Sequence, residues 1–136
     1  MRVLGLDVGA KRIGVALSDE SRMLASPHLV YERQGTDADV RNLVEMARTL
    51  GCTAIVFGLP LELNGTKGLR ARRVDLLFQK VAAAFEGECH YVDERFSTSE
   101  AERVLIASDV RRQHRKRVVD KVAAALILQA YLDGLS

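Results

Sequence analysis

Short apolar runs at the start of the chain predict three strands, at residues 3–7, 13–17 and 24–31. A turn that contains glycine separates the first two runs, so we expect them to form a hairpin. Pro27 interrupts the third run, which makes that strand irregular or peripheral. An aspartate, Asp7, ends the first strand and raises the question of whether it only shapes the turn or binds something.

Apolar residues at helical spacing alternate with further short apolar runs along the rest of the chain. The run at residues 53–57 is almost wholly apolar, which is typical of a strand buried on both faces. The polar and basic stretch at residues 108–117 is expected to be a loop. The further predicted elements are a helix at 36–50, strands at 53–57 and 89–93, and helices at 69–85, 97–108 and 117–132.

This order of elements predicts an α/β protein of one domain, residues 1–136, with a five-stranded mixed sheet and helices on both faces. In such sheets, ligands bind outside the carboxyl ends of the strands. Asp7, Asp93 and Glu94 fall at strand ends of this kind, as does Gly58. The acids among them are therefore candidates for a functional site.

The composition fits a globular protein and restricts its function. The chain has 136 residues, of which 48% are hydrophobic and 28% charged, and its formal net charge is only +2. A nucleic-acid site must therefore arise from local clustering of cations. No apolar run has transmembrane length and no signal-peptide pattern opens the chain, so we expect a cytoplasmic protein.

Four acidic residues can be interpreted either structurally or chemically. Asp7 could simply hydrogen-bond its own hairpin turn. Asp93 and Glu94 are adjacent, so strand alternation directs them to opposite faces and at most one can face a given ligand. Asp120 lies close to the apolar face of the last predicted helix, and in its first turn, where the helix dipole alone would stabilise a carboxylate.

Carboxylates that converge repel one another unless a cation holds them. Mg²⁺ and Mn²⁺ prefer oxygen ligands. Two such ions about 4 Å apart can activate a water molecule and stabilise the leaving oxygen of a phosphodiester. The acids at the strand ends, together with Asp120, are therefore suited to metal-dependent hydrolysis of phosphodiesters.

Clustered cations lie next to these acids in the sequence. Five of the seven residues in "RRQHRKR", at 111–117, are Lys or Arg, and a second basic segment follows the loop "GLPLELNGTKG". Such clusters bind phosphate backbones, although a charge run can also be a solvated face. The residues expected to contact nucleic acid are Lys11, Arg12, Lys67, Arg70, Arg95, Arg111, Arg112, Arg115, Lys116 and Arg117.

Four ordered blocks of the sequence resemble the YqgF family, also called RuvX-like. They are "LGLDVGAKRIGVALSD", "VFGLPLELNGTKG", "VDERFST" and "VDKVAAALILQAYLD", and the resemblance covers nearly the whole chain. Members of this family are described as Holliday junction resolvases and as nucleases of pre-16S rRNA. The resemblance implies a ribonuclease H-like fold and a nuclease that uses Mg²⁺ or Mn²⁺ at clustered acids.

The resemblance also implies roles for individual residues. Asp7 matches the aspartate of the family's first strand, Glu94 the glutamate of its "DER" motif, and Asp120 the aspartate of its last helix. These three are the expected catalytic metal ligands, and Asp93 is the alternative to Glu94. Ala10 departs from the family, which often has Thr or Ser there, and so removes a hydroxyl near the expected metal site.

The substrate and the class of function stay open at this point. A nuclease of this family could process the 5′ end of pre-16S rRNA in ribosome biogenesis, as a monomer, or resolve Holliday junctions in recombination, as a homodimer. A non-catalytic nucleic-acid-binding module for ribosome assembly could retain the acids as structural residues. Sugar kinases and actin-like ATPases share the Asp-x-Gly hairpin, but they need two such domains around a cleft.

Overall fold

The computed structural model describes residues 1–61, 64–93 and 119–134 in full and 112–118 as backbone. These residues form one five-stranded sheet of order β3-β2-β1-β4-β5, in which β1–β2 and β2–β3 are antiparallel and β1–β4 and β4–β5 are parallel. The strands are β1 (Arg2–Val8), β2 (Arg12–Ser18), β3 (Ala25–Glu32), β4 (Cys52–Leu59) and β5 (Glu88–Asp93), and the helices are α1 (Thr36–Thr49), α2 (Leu69–Ala84) and α3 (Arg112–Asp133).

Side-chain alternation along the central strands divides the core into two layers, one on each face of the sheet. One layer packs under α1 and α2 and the other under α3. Burying each large apolar side chain contributes about 1.5–3 kcal/mol, so both layers stabilise the fold. The first layer includes Leu4, Leu6, Ile13, Val15, Ile55 and Phe57, and the second includes Val3, Ala16, Ala54, Val56, Ile127 and Leu128. The predicted mixed sheet with helices on both faces is confirmed.

Glycines in β1 and β2 allow α3 to lie close to the sheet. A Cβ on Gly5 would stand 2.7 Å from Cβ of Leu128 and 3.2 Å from the carbonyl oxygen of Ala124. A Cβ on Gly14 would overlap the carbonyl oxygen of Asp120. Since no ordinary side chain fits at either position, these two glycines set the height of the helix above the strands.

The last helix begins at Arg112, and not near residue 117 as predicted. The expectation of a loop over residues 112–117 is therefore wrong. Lys, Arg and Gln have high helix propensity, so a polar composition alone does not distinguish a loop from an exposed helical turn. Asp120 consequently lies in the third turn of α3, beyond the reach of the helix dipole, which acts within the first turn.

The other described elements agree with the predicted bounds to within two residues. Gly51 ends α1 as expected: its φ is 72°, and its N–H donates to the carbonyl oxygen of Arg48 at 3.1 Å. The predicted helix at 97–108 lies outside the described residues. Of the helices that the structure describes, none combines the length and apolar character needed to cross a membrane.

A buried carboxylate links the end of β3 to the start of α1. Asp39 is fully buried and accepts three hydrogen bonds of 2.8 Å, from Arg33 Nε, the Tyr31 hydroxyl and the main-chain N–H of Gln34. Burial raises the pKa of the Asp39 carboxyl, but these hydrogen bonds outweigh burial and hold the pKa below its usual value. The carboxylate is therefore ionised in the folded protein at neutral pH.

Asp39→Asn is expected to lower the free energy of unfolding by about 2 kcal/mol near neutral pH, because a charged acceptor beside Arg33 is lost. The folded-state pKa is depressed, so this stabilisation is present above the unfolded-state pKa of about 3.9 and is lost as pH falls through the folded-state pKa. Denaturant unfolding of both proteins across this pH range is the measurement. The difference in free energy of unfolding between wild type and variant should narrow below about pH 4. A difference that stays constant with pH would contradict a stabilising role for the ionised Asp39 carboxylate.

Candidate active site

Asp7 lies near the carboxyl end of the central strand β1, on the face that α3 covers. It pairs with Gly14 of β2, while its neighbour Leu6 pairs with Phe57 of β4, which places Gly58 beside Asp7 on the other side. Neither glycine carries a side chain on this face. Asp7 Oδ1 is buried from solvent. The carboxylate of Asp7 therefore projects between two strand positions that carry no side chain.

The main chain of α3 reaches the sheet beside Asp7. The carbonyl oxygen of Asp120 occupies the space that a Cβ on Gly14 would need. Because Gly14 is the cross-strand partner of Asp7, the two acids come from adjoining segments of the fold. The structure thus places the main chains of two of the three predicted metal ligands in adjoining segments, and the third, Glu94, lies outside the described residues.

Asp93, the alternative to Glu94, lies on the other face of the sheet. Tyr91 of β5 packs with the layer under α1 and α2, whereas Val92 packs with the layer under α3. Strand alternation therefore directs Asp93 to the α1–α2 face, away from Asp7. In addition, β5 is two strands from β1, which corresponds to about 10 Å across the sheet.

The chemistry of these acids fits a divalent cation. Asp7 and Asp120 are acids from adjoining segments, and their carboxylate oxygens are the hard ligands that Mg²⁺ and Mn²⁺ prefer. A cation would also offset the repulsion between them. Within residues 1–61, 64–93 and 112–134, no group of three or more His, Cys, Asp or Glu side chains is placed to hold a metal ion. The expected triad includes Glu94, so these residues contain two of its members.

Arg33, which the sequence did not single out, anchors the turn that follows β1. Its Nη1 donates to the carbonyl oxygen of Gly9 at 3.2 Å, and its main-chain N–H donates to that of Lys11 at 2.9 Å. Within the turn, the Gly9 N–H donates to the carbonyl oxygen of Arg12 at 2.8 Å. Because Asp39 holds the same guanidinium, the turn next to the candidate site is fixed to β3 and α1.

Lys67 anchors the loop after β4. Its Nζ donates to Asp75 Oδ2 at 2.7 Å, and the Tyr91 hydroxyl donates to the other oxygen of the same carboxylate. The main chain of Lys67 also forms an isolated antiparallel bridge with Leu61. Burial raises the pKa of the Asp75 carboxyl, but the two hydrogen bonds outweigh burial and hold that pKa below its usual value. The Lys67 ammonium is therefore already paired with Asp75, and a phosphate that bound Lys67 would have to share it with this carboxylate.

The other cations predicted to contact nucleic acid differ in their surroundings. Arg12 pairs with the carboxylate of Glu32 at 3.0 Å. Lys11 and Arg70 are exposed and make no ion pair with any residue in the described ranges. Arg95 and Arg111 lie outside those ranges. The four that fall in the first turns of α3, the helix that carries Asp120, are Arg112, Arg115, Lys116 and Arg117.

The sheet order, the helices on both faces and the acid on the central strand define the class as a ribonuclease H-like protein. Solved structures agree with this fold. RuvC of Thermus thermophilus in complex with a Holliday junction matches with a TM-score of 0.63 at 16% identity, covering 100% of this chain and 97% of that one. The fowlpox virus Holliday junction resolvase matches with a TM-score of 0.61 at 10% identity, covering 100% of both chains.

The chain belongs to the RuvX family, whose model, described as Holliday junction resolvase, matches residues 1–134. A protein of Syntrophomonas wolfei named "Putative pre-16S rRNA nuclease" is 42% identical over 134 residues, covering 98% of this chain and 95% of the relative. One of Symbiobacterium thermophilum with the same name is 46% identical over 134 residues, covering 98% and 93%. The family predicted from the four sequence blocks is confirmed, and the predicted nuclease class agrees with it.

Proposed function

We propose that this protein is a divalent-metal-dependent endonuclease that hydrolyses phosphodiester bonds in structured nucleic acid, with Asp7, Glu94 and Asp120 as its catalytic metal ligands. The contact between the Asp120 main chain and Gly14 carries the proposal, because Gly14 pairs with Asp7. Strand alternation, which turns Asp93 away from Asp7, supports the next residue of the motif as the third ligand.

Each part of the fold has a separate task at this site. Mg²⁺ or Mn²⁺, held by the three acids, would supply the activation of water and the stabilisation of the leaving oxygen. Pairing of β1 on both sides fixes Asp7, and the close packing of α3 on glycine fixes Asp120. The cations of the turn and of α3 bind phosphates and orient the strand, because phosphate contacts set position without reading sequence.

The names of the relatives favour pre-16S rRNA as the substrate. Our proposal for this case is a cut at the 5′ end of the precursor during ribosome biogenesis in the cytoplasm. The description of the family model favours a second candidate, cleavage of Holliday junctions. Symmetric cleavage of a junction requires two active sites and therefore a homodimer. A single cut in a precursor rRNA requires one active site, for which a single domain spanning residues 1–136 suffices.

Cleavage of a panel of labelled nucleic acids tests this function. The panel contains pre-16S rRNA 5′ fragments, a four-way junction and a plain duplex, each with Mg²⁺, Mn²⁺ or EDTA. We expect cleavage of at least one structured substrate with metal and none in EDTA, because carboxylates alone do not activate water for this reaction. If a dimer makes paired nicks in the junction, the protein has the resolvase function. If a monomer makes a single cut in the rRNA fragment, it has the processing function. Tight binding without cleavage under any metal condition would contradict the nuclease proposal.

A further inference from the structure

A cleft of about 560 Å³ opens between the β1–β2 turn, the start of α1 and the exposed side of α2. Three cations line it: Lys11 of the turn, Arg33 of the segment between β3 and α1, and Arg73 of α2. Among the described lining residues, Glu32 is the acid. We call this feature the basic cleft.

Ion pairs within the protein already engage part of this charge. Glu32 pairs with Arg12 at 3.0 Å, and Arg33 pairs with a buried aspartate at 2.8 Å. Lys11 and Arg73 are both exposed, and neither makes an ion pair with a residue in the part of the chain that the structure describes. The basic cleft therefore carries a net positive potential from Lys11 and Arg73, which favours an anionic ligand.

One wall of the basic cleft is held in place before any ligand arrives. The Arg33 side chain is only 16% exposed, and it is fixed by hydrogen bonds to Asp39 and to the carbonyl oxygen of Gly9. A guanidinium whose position is already set loses little conformational entropy when an anion binds beside it. The exposed cations Lys11 and Arg73 lie on the other walls of the basic cleft, where both can reach the same anion.

The same turn connects the basic cleft with the candidate metal site. Lys11 follows Asp7 by four residues, and the turn between them is pinned to Arg33. Asp7 faces α3, whereas the basic cleft opens on the side of α1 and α2. A strand that occupies both must therefore cross the carboxyl edge of the sheet.

We propose that the basic cleft binds a backbone phosphate of the nucleic-acid strand that is cut at Asp7, at a position a few nucleotides from the scissile bond. The inference rests on the proposed nuclease function and adds a subsite to it. A cleft of several hundred Å³ has room for a phosphodiester and its sugar. Since phosphate contacts fix register without reading bases, this subsite sets where along a structured strand the cut falls.

Single substitutions on α2 and in the turn test the subsite, because the chain offers a matched control. Arg72 precedes Arg73 on the same helix and is also exposed, but it does not line the basic cleft. Arg73→Ala and Lys11→Ala should each weaken binding of the cleaved substrate about five- to tenfold at about 0.1 M salt and lower the salt slope by about 0.7–0.9. Arg72→Ala should bind as wild type does. Fluorescence anisotropy in EDTA measures binding without cleavage, and thermal unfolding verifies that each variant is folded.

A scan with methylphosphonate linkages, which are uncharged, then locates the phosphate. One linkage at a time is replaced along the cleaved strand. At one position away from the cut, the replacement should weaken binding by wild type at least about five- to tenfold. It should weaken binding by Arg73→Ala by a clearly smaller factor, because that variant has already lost one of the contacts to this phosphate. Equal effects on both proteins at every position, or equal losses for Arg72→Ala and Arg73→Ala, would overturn the subsite. If the subsite fails, cleavage of the unmodified substrate by wild type with Mg²⁺ or Mn²⁺ would leave the nuclease proposal standing. No cleavage of any substrate with either metal would refute both proposals.

Discussion

Asp7→Asn is expected to lower the rate of metal-dependent cleavage by at least about 1,000-fold, while the fold and the affinity for nucleic acid are retained. Asparagine keeps the size of the side chain and a hydrogen-bonding oxygen, but it lacks the charge that holds a hard cation. A loss of this size corresponds to about 4 kcal/mol of transition-state stabilisation, which a metal ligand can supply. Single-turnover cleavage with Mg²⁺ and with Mn²⁺ measures the loss, and anisotropy measures binding.

Asp19 provides the matched control, because it is an aspartate that does shape a hairpin turn. Its carboxylate accepts hydrogen bonds from Ser21 Oγ at 2.6 Å and from the main-chain N–H groups of Met23 and Leu24 at 2.8 and 3.2 Å. These bonds, led by that from Ser21, hold the pKa of Asp19 below its usual value. Asp19→Asn should cleave at the wild-type rate. If Asp7→Asn behaves in the same way, Asp7 is a structural residue and the metal site is wrongly assigned.

Gly14→Ala is expected to lower the free energy of unfolding by about 3 kcal/mol and the cleavage rate by about 100-fold or more. The new Cβ would overlap a main-chain oxygen at Asp120, and a backbone atom cannot rotate out of the way. The helix must therefore move outward, and Asp120 moves with it relative to Asp7. Denaturant unfolding and single-turnover cleavage measure the two effects on the same preparation.

Gly134→Ala is the control for this substitution. A Cβ on Gly134 would lie 3.4 Å from its nearest neighbour, the carbonyl oxygen of Tyr131, which is an ordinary contact. We expect a change of less than about 1 kcal/mol in stability and none in cleavage. A Gly14→Ala protein as stable and active as Gly134→Ala would show that α3 does not press on β2 at this point.

Local patterns predicted most of the described fold. Short apolar runs separated by turn residues predicted the five strands, and apolar residues at helical spacing predicted α1 and α2. The start of α3 was missed because residues 112–117 carry no apolar signal to distinguish helix from loop. In the structure, the helix formed by the later, apolar residues extends back through this segment to Arg112.

The acids of the candidate site could be found from the sequence, but their supports could not. Asp7 is indicated by its strand-end position, Asp120 by its place near the apolar face of the last helix, and both by family resemblance. Gly14 gave a usable signal that was not followed, since a glycine inside an apolar strand often marks the close approach of another backbone. Arg33 and Asp39 look like surface charges in the sequence, because their pairing depends on how β3, α1 and the β1–β2 turn meet in space.

The contact between β1 and α3 also makes the proposed metal site depend on complete folding. Asp7 and Asp120 are 113 residues apart in the chain, so the loop that joins them must close against a large entropy cost before the two acids can meet. Contacts of such sequence separation form late and cooperatively, after local hairpins and helices. In an incompletely folded molecule, the two acids of the proposed metal site would therefore lie apart. If that site performs the cleavage, nuclease activity would begin only once the last helix has docked on the sheet.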